Sequence, residues 1–326
     1  MFKNAEWKER ADSPLFLFLG LIIVNILWGA SSIAGRQALL QLSTIEIVTI
    51  RFAIASLFLL ILTILWKGIS ELKVDVKDLP VLAFLSIAGV SLQFVLQLSS
   101  INYTTVTNFS LLFNLSTFFI MILGAMLLKE RLSNKKLLGA GVAFGGVALI
   151  VSGGGLEFSS SHFFGDIIGL SSAAIWAVYT IAAKKVSGKY SLLTIMNYTF
   201  ILGVAGLIPF YVYMTPMTPL TQVTSASWAS ILFLAILCSV VAFLIYNQGL
   251  SRLKASDVAM TIYITPLSGV LLAALILGES MTLFTLIGAA LILAGMYATG
   301  ERPGAADGRV PVMHGGKAGA ETDANG

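Results

Sequence analysis

The stretch TPLSGVLLAALILGES, Thr265 to Ser280, decides the fold. A Thr-Pro pair opens a run that carries no charge until Gly278-Glu279. A long apolar run that ends on a carboxylate fits a membrane span, because a charge at the interface is tolerated far better than one at the bilayer centre. Much the same phrase, STFFIMILGAMLLKER, fills Ser116 to Arg131, about 149 residues earlier. Glu130 and Glu279 thus close two equivalent runs. Each is expected to be a helix stop whose charge favours the N-terminus of the next helix in the chain, with a gate or proton site as the alternative reading.

Composition agrees with a membrane protein. The 326 residues are 57% hydrophobic and 11% charged, against roughly 45–50% and about 25% for soluble domains. A single cysteine, Cys238, excludes an internal disulfide framework. The two histidines, His162 and His314, lie far apart with no cluster at ligand spacing, so neither a metal nor another cofactor is expected. The N-terminus MFKNAEWKERADSP is charged before any apolar run, and that run lacks a small-residue cleavage site. It reads as a retained first helix.

Crossing the hydrocarbon core takes roughly 20 apolar residues as a helix. Ten candidate spans fit: 15–35, 44–65, 79–99, 104–128, 136–152, 166–184, 192–213, 227–248, 255–277 and 281–299. Helices are the expected solution because lipid satisfies no backbone polar group and these runs lack the alternation of barrel strands. If the loops are numbered alternately, 18 Lys and Arg residues fall on one side and only Arg36 on the other, with Arg51 inside a span. Positive charge concentrates on cytoplasmic loops, so both termini are expected there. Residues 1–14 then form a cytoplasmic N-terminus, and 300–326, rich in Gly, Ala and Asp, a disordered cytoplasmic tail.

The sequence repeats over its whole length. Trp28 matches Trp176 at an offset of 148, which sets Arg36 against Lys184. Glu130 matches Glu279 at 149, which sets Gly139-Ala140 against Gly288-Ala289 and Gly146 against Gly295. The two copies are 15–152 and 166–299, five spans each. An odd number of spans inverts the second copy, the arrangement from which many transporters build a pseudo-symmetric mid-membrane site.

At this point the chain resembles the ten-helix EamA-type transporters of the drug/metabolite transporter superfamily. The likeness rests on Trp28-Gly29, Arg51-Phe52, LLKERLSNKKLLGAGVAFGGVALI (127–150) and TPLSGVLLAALILGESMTLFTLIGAALILAGM (265–296). It covers about 15–299. Pro266 corresponds to Thr117, so a proline kink is expected in the ninth span and not in the fourth. The resemblance implies transport of small metabolites, with spans 1, 3, 4, 6, 8 and 9 around a central cavity and spans 5 and 10 packed between the halves.

Polar side chains inside spans point to a site, since they are costly in lipid and usually face the bundle interior. The fourth span carries Thr107, Ser110, Asn114 and Thr117 on one helix face; the third carries Gln93 and Gln97 one turn apart. Asn25 and Trp28 lie in the first span with Ser32, and Ser172, Trp176 and Tyr179 in the sixth. Tyr246 with Asn247 lies in the eighth, and Tyr263, opposite Asn114 in the repeat, in the ninth. The candidate substrate-binding set is therefore Asn25, Trp28, Gln93, Gln97, Ser110, Asn114, Trp176, Tyr179, Tyr246 and Tyr263. Spans 5 and 10 read as packing helices, with Gly139, Gly145, Gly146, Gly288 and Gly295 allowing close approach.

Two charges lie within the second span: Glu46 and Arg51 are each expected to snorkel to the outer headgroups, Arg51 as a structural anchor. No Asp or Glu sits at mid-membrane, which favours a neutral or zwitterionic substrate over a cation. The first expectation is a multi-pass plasma-membrane secondary transporter that exports such metabolites, amino acids foremost, by alternating access. An exporter of lipophilic cationic drugs built on an aromatic box, a facilitator or exchanger of other metabolites, and an accessory subunit or sensor stand beside it. A membrane enzyme is disfavoured, since no nucleophile–base pair, phosphate loop or metal spacing is present. The expected partners are a small-molecule substrate and the lipid bilayer, with no nucleic acid, in a monomer or homodimer.

Overall fold

A computed structural model describes residues 13–104, 106–152, 163–214, 218–277 and 281–298. Among these, nine helices are long and apolar enough to cross a membrane, and a shorter apolar helix, Leu283–Ala298, follows them. The protein is a multi-pass helical membrane protein. Its outer surface is apolar where a soluble protein would be polar: Leu65 is 80% exposed, Trp66 74% and Leu275 82%.

Helix starts follow local chemistry. Span 1, Pro14–Leu39, begins at Ser13, whose Oγ accepts from the Phe16 N–H at 3.3 Å, with proline at the first helical position. Span 2, Thr44–Lys67, begins with a capping box between Ser43 and Glu46. Glu46 also accepts from the Thr218 N–H at 2.7 Å and is 1% exposed. It therefore does not snorkel: backbone N–H groups of Ser43 and Thr218, from two segments, take up its charge.

The later spans are interrupted. Span 3 runs as Leu79–Ser86, a π-helical segment Ile87–Leu92, and Gln93–Tyr103. Span 8 runs as Ser225–Ala235, a π-helical segment Ile236–Val241, and Ala242–Arg252. Both π segments begin 149 positions apart, and the helices after them match at both ends with the same offset. Span 4 (Val106–Asn114, then Ser116–Leu127) and span 9 (Ala255–Thr261, then Ile264–Leu277) break at equivalent points.

The break in span 4 corrects the expectation drawn from Thr117. It needs no proline. Leu115 N–H bonds back three residues to Leu112 O at 3.1 Å, and the Asn114 amide takes the Ser110 carbonyl at 2.8 Å. A tightened turn and a side chain competing for a backbone acceptor suffice. In span 9 Pro266 lacks an N–H, and the Ile262 carbonyl is taken instead by Thr265 N–H at 2.9 Å.

Span 5, Asn134–Ser152, packs on span 10, Leu283–Ala298, through glycines. A Cβ on Gly146 would meet the Gly288 carbonyl at 2.5 Å, and one on Gly295 the Gly139 carbonyl at 2.5 Å. Gly145, grouped with them on sequence, faces open space. Spans 6 (Phe163–Val186) and 7 (Leu192–Met214) complete the second copy, and the main core joins spans 1, 2, 3, 4, 6, 7, 8 and 9.

A paired test follows. Gly146→Ala is expected to lower the thermal midpoint of the detergent-purified protein by several degrees, an overpacking penalty of ~1–3 kcal/mol. Gly145→Ala should leave it unchanged or raise it. Size-exclusion profiles after a heating series read both.

Candidate functional site

The centre is built from rings contributed by both copies. Trp28 of span 1 and Trp176 of span 6 meet edge to face with ring centroids 5.8 Å apart. Tyr246 of span 8 lies 5.3 Å from Trp28 and 5.5 Å from Trp176. Tyr179 lies 5.2 Å from Trp176. The sequence reading had these four rings but missed Phe243, which touches Trp28 and Trp176 at 6.0 Å each. The repeat carried the signal: Phe243 matches Phe94 at an offset of 149.

Repeat-related residues touch each other here. Trp28 meets its counterpart Trp176, and Phe52 meets Phe200, 148 positions on, at 5.5 Å. Phe52–Phe94 at 5.0 Å is echoed by Phe200–Phe243 at 5.6 Å. A residue that contacts its own symmetry mate lies beside the symmetry axis. These rings therefore mark the junction of the two copies.

Polar groups in and around the rings divide into two kinds. Some are satisfied inside the protein. Asn247 donates to Tyr179 Oη at 3.1 Å, and Tyr246 Oη shares a hydrogen bond with Thr180 Oγ1 at 3.2 Å. Asn25 donates to Leu21 O at 2.7 Å and Thr261 Oγ1 at 3.0 Å, and accepts from Thr265 at 2.8 Å. That makes Asn25 a strut between spans 1 and 9. Others make no full hydrogen bond among the described residues. Trp176 is 4% exposed, and its indole N–H makes no hydrogen bond of full geometry, with the Tyr246 hydroxyl only weakly in reach. Gln93, 2% exposed, reaches Ser172 Oγ at 3.4 Å and Gln97 at 3.5 Å through its amide nitrogen, while its Oε1 is unbonded. Ser172 and Trp176 stand one turn apart on span 6, so an orphan donor and an orphan acceptor share that face. A buried polar group without a partner costs about 1–3 kcal/mol.

The remaining candidates stand further out. Asn114 Oδ1 is unbonded, and Asn114 follows Phe113, whose ring is 6.5 Å from Trp176. Ser110 gives only its backbone carbonyl to Asn114. Tyr263 is fully buried with a hydroxyl that makes no hydrogen bond of full geometry, but it packs in a separate cluster with Leu111 and Met121 of span 4, Ala140 of span 5 and Ile292 of span 10. Thr117 bonds the Ala259 carbonyl at 3.2 Å and ties span 4 to span 9. The side chains of Thr107 and Ser32 lie outside the described residues.

At the lysine- and arginine-rich end of the bundle, side chains bond across the two copies. Glu130 accepts from Ala255 N–H at 2.6 Å, Ser256 N–H at 3.1 Å and Ser256 Oγ at 2.8 Å. It thus caps span 9 of the other copy, which corrects the expectation that it serves the next helix in the chain. The reversal after span 4 turns it that way, with Lys129 at φ 56° and Glu130 N–H bonded to Gly124 O. Lys136 also crosses between copies, donating to Ser256 Oγ at 2.9 Å and pairing with Asp257; Lys184 ties span 6 to the end of span 8 within the second copy, donating to Leu250 O at 2.8 Å and to Leu253 O. Glu279, Glu130's match in the second copy, lies outside the described residues, as do His162, His314 and the terminal segments.

A helical membrane protein with a duplicated core, ringed aromatics and unsatisfied polar groups at the junction has the anatomy of a small-molecule carrier. The sequence pattern of the EamA-like transporter family matches twice, over residues 15–152 and 163–300, and the chain belongs to that family. An uncharacterized transporter of Archaeoglobus fulgidus is 35% identical over 281 residues, 86% of this chain and 95% of the relative. A probable terminal-alkyne amino-acid exporter of Streptantibioticus cattleyicolor is 26% identical, covering 86% of this chain and 92% of the relative. A chain of known crystal structure, 18% identical, superposes with a TM-score of 0.75 over 86% of this chain and 95% of that one, a likeness of fold. The family and these named relatives are transporters, not enzymes.

Two substitutions separate strut from site. Asn25→Leu breaks the bonds to Thr261 and Thr265 and is expected to lower stability by about 1–3 kcal/mol. Trp176→Phe deletes the orphan N–H and keeps a ring, so it should leave the unfolding midpoint within a degree or two. Differential scanning fluorimetry of the purified proteins measures both.

Proposed function

We propose that this transporter is a secondary exporter of small zwitterionic metabolites, neutral amino acids foremost, that works by alternating access in the plasma membrane. The observation that carries the reading is the pairing of buried aromatic rings with unbonded groups, the Trp176 indole N–H and Gln93 Oε1, at the junction of the two copies. Each orphan is satisfied when a polar ligand sits between the rings, so the protein gains most from a ligand that has both donors and acceptors. The Streptantibioticus relative is named an amino-acid exporter, which supports the same class.

In this reading the ten spans form two inverted five-helix copies, and the basic face is cytoplasmic. Glu130 and Lys136 then close the cytoplasmic end, and the two copies rock about the ring contact to expose it. The lock consists of charge-assisted bonds between copies, each worth about 1.5–3 kcal/mol, so it can hold one state and still be broken. A second reading, export of lipophilic cations, draws on the aromatic box. The positive Arg51 beside Phe52 and Phe94, 5.2 and 5.6 Å from their rings, weighs against it.

The test is counterflow in proteoliposomes loaded with an unlabelled neutral amino acid at millimolar level and given a labelled trace outside. Uptake is expected, with loss in Trp176→Ala. Glu130→Ala should slow it about tenfold, the equivalent of one lost charge-assisted bond, while the protein stays monodisperse. Counterflow of a lipophilic cation alone contradicts the zwitterion reading.

A further inference from the structure

Arg51 was expected on sequence to snorkel outward as an anchor. The structure turns it inward. Its Nε donates to Ser239 Oγ at 2.6 Å and its Nη2 to the Cys238 carbonyl at 3.3 Å. Both acceptors belong to the π segment near the middle of span 8. The extra residue of a π turn leaves a backbone carbonyl without its usual helical donor, and such turns concentrate at functional sites. The Cys238 carbonyl also accepts from the Trp28 indole at 3.1 Å. One oxygen therefore joins Arg51 to the aromatic centre. Phe52 and Phe94 flank the guanidinium, and Phe52 stands beside the symmetry axis.

The charge is unbalanced. Among the described residues no carboxylate pairs with Arg51, and its hydrogen bonds to Ser239 and Cys238 occupy two of its five N–H donors. Arg51 is half-buried; a guanidinium does not deprotonate in a protein, and a charge held against aromatic rings without a counter-ion is costly. Its remaining donors form a planar fork that matches a carboxylate. The second copy places no cation at the matching position: 148 residues on is Thr199, whose hydroxyl bonds its own helix at Ile195 O. The site therefore has one charged end, suited to a ligand with a single carboxylate.

We propose that Arg51, clamped by Ser239 and the Cys238 carbonyl, is the carboxylate-binding residue of the transport site. It takes the carboxylate of a zwitterion whose ammonium group lies against the faces of Trp28, Trp176 and Tyr246. The inference rests on the transport reading above and adds its specificity. Cation–π contact holds the ammonium without a protein carboxylate, which accounts for the lack of a mid-span Asp or Glu.

The test is binding to the purified full chain, followed by tryptophan fluorescence and thermal shift. The probes are phenylalanine, phenylalaninamide and 3-phenylpropanoate, with chloride and inorganic phosphate as anion controls. The wild type is expected to bind phenylalanine at least tenfold more tightly than the amide. Arg51→Gln should bring that ratio to about one while the amide still binds. Arg51→Lys, which keeps the charge and loses the fork, should give an intermediate ratio and guards against a folding artefact. Ser239→Ala should reduce the ratio by freeing the guanidinium. An unchanged ratio in Arg51→Gln overturns the inference, as does a wild type that binds no carboxylate, or one that responds equally to chloride or phosphate. Arg51-dependent binding of 3-phenylpropanoate without amino-acid counterflow upholds the inference and removes the amino-acid export reading instead.

Discussion

Hydrocarbon offers the backbone no hydrogen-bond partner, so every departure from a regular α-helix within the membrane must be satisfied by protein or line a cavity. The rest of this structure follows from that constraint. The departures nearest the centre are the π segments of spans 3 and 8 and the breaks of spans 4 and 9. Where span 8 departs, the Cys238 carbonyl turns to Trp28 and Arg51; where span 3 does, Ser91 donates to the Gly203 carbonyl of span 7 at 2.8 Å. Irregular backbone here builds the centre.

Duplication makes the scaffold, and divergence between the copies makes the site. Trp28 and Trp176 are matched in sequence and touch in space, yet their indole N–H groups differ: one is bonded to Cys238 and the other makes no hydrogen bond of full geometry among the described residues. Arg51 is matched by Thr199. A symmetric scaffold can exchange the roles of its halves, while an asymmetric lining gives a small ligand one preferred orientation. The lock at the basic end belongs to the scaffold: Glu130 of the first copy caps span 9 of the second.

Much of this was legible in the residues. The apolar runs marked the helices, nine of them long and apolar enough to cross a membrane among the described residues, because length in lipid leaves few alternatives. The recurrence of Trp28 as Trp176 and of Gly146 as Gly295 gave the repeat. Trp28, Trp176, Tyr179 and Tyr246 did come together, since large rings on inward faces must pack. Other features needed three dimensions. The direction of Arg51 depends on a π segment that no local propensity marks. Asn25 and Trp176 look alike as polar groups in spans, yet one is fully bonded and the other is not, which depends on residues more than 200 positions away for Asn25. Glu130 was misassigned because its partner is adjacent in space, not in sequence. Phe243 was missed although its match to Phe94 was present, because a lone Phe in an apolar run carries no local signal.

The central claim is that a ligand sits between the two copies at the contact of Trp28 and Trp176. The most direct measurement is a crystal structure with 4-bromophenylalanine, its bromine located by anomalous scattering, after the same compound has shown counterflow. The account predicts one anomalous peak in contact with both indole rings, with the carboxylate end of the ligand density toward Arg51. A peak elsewhere in the bundle, or none at that contact in a protein that transports the compound, contradicts it.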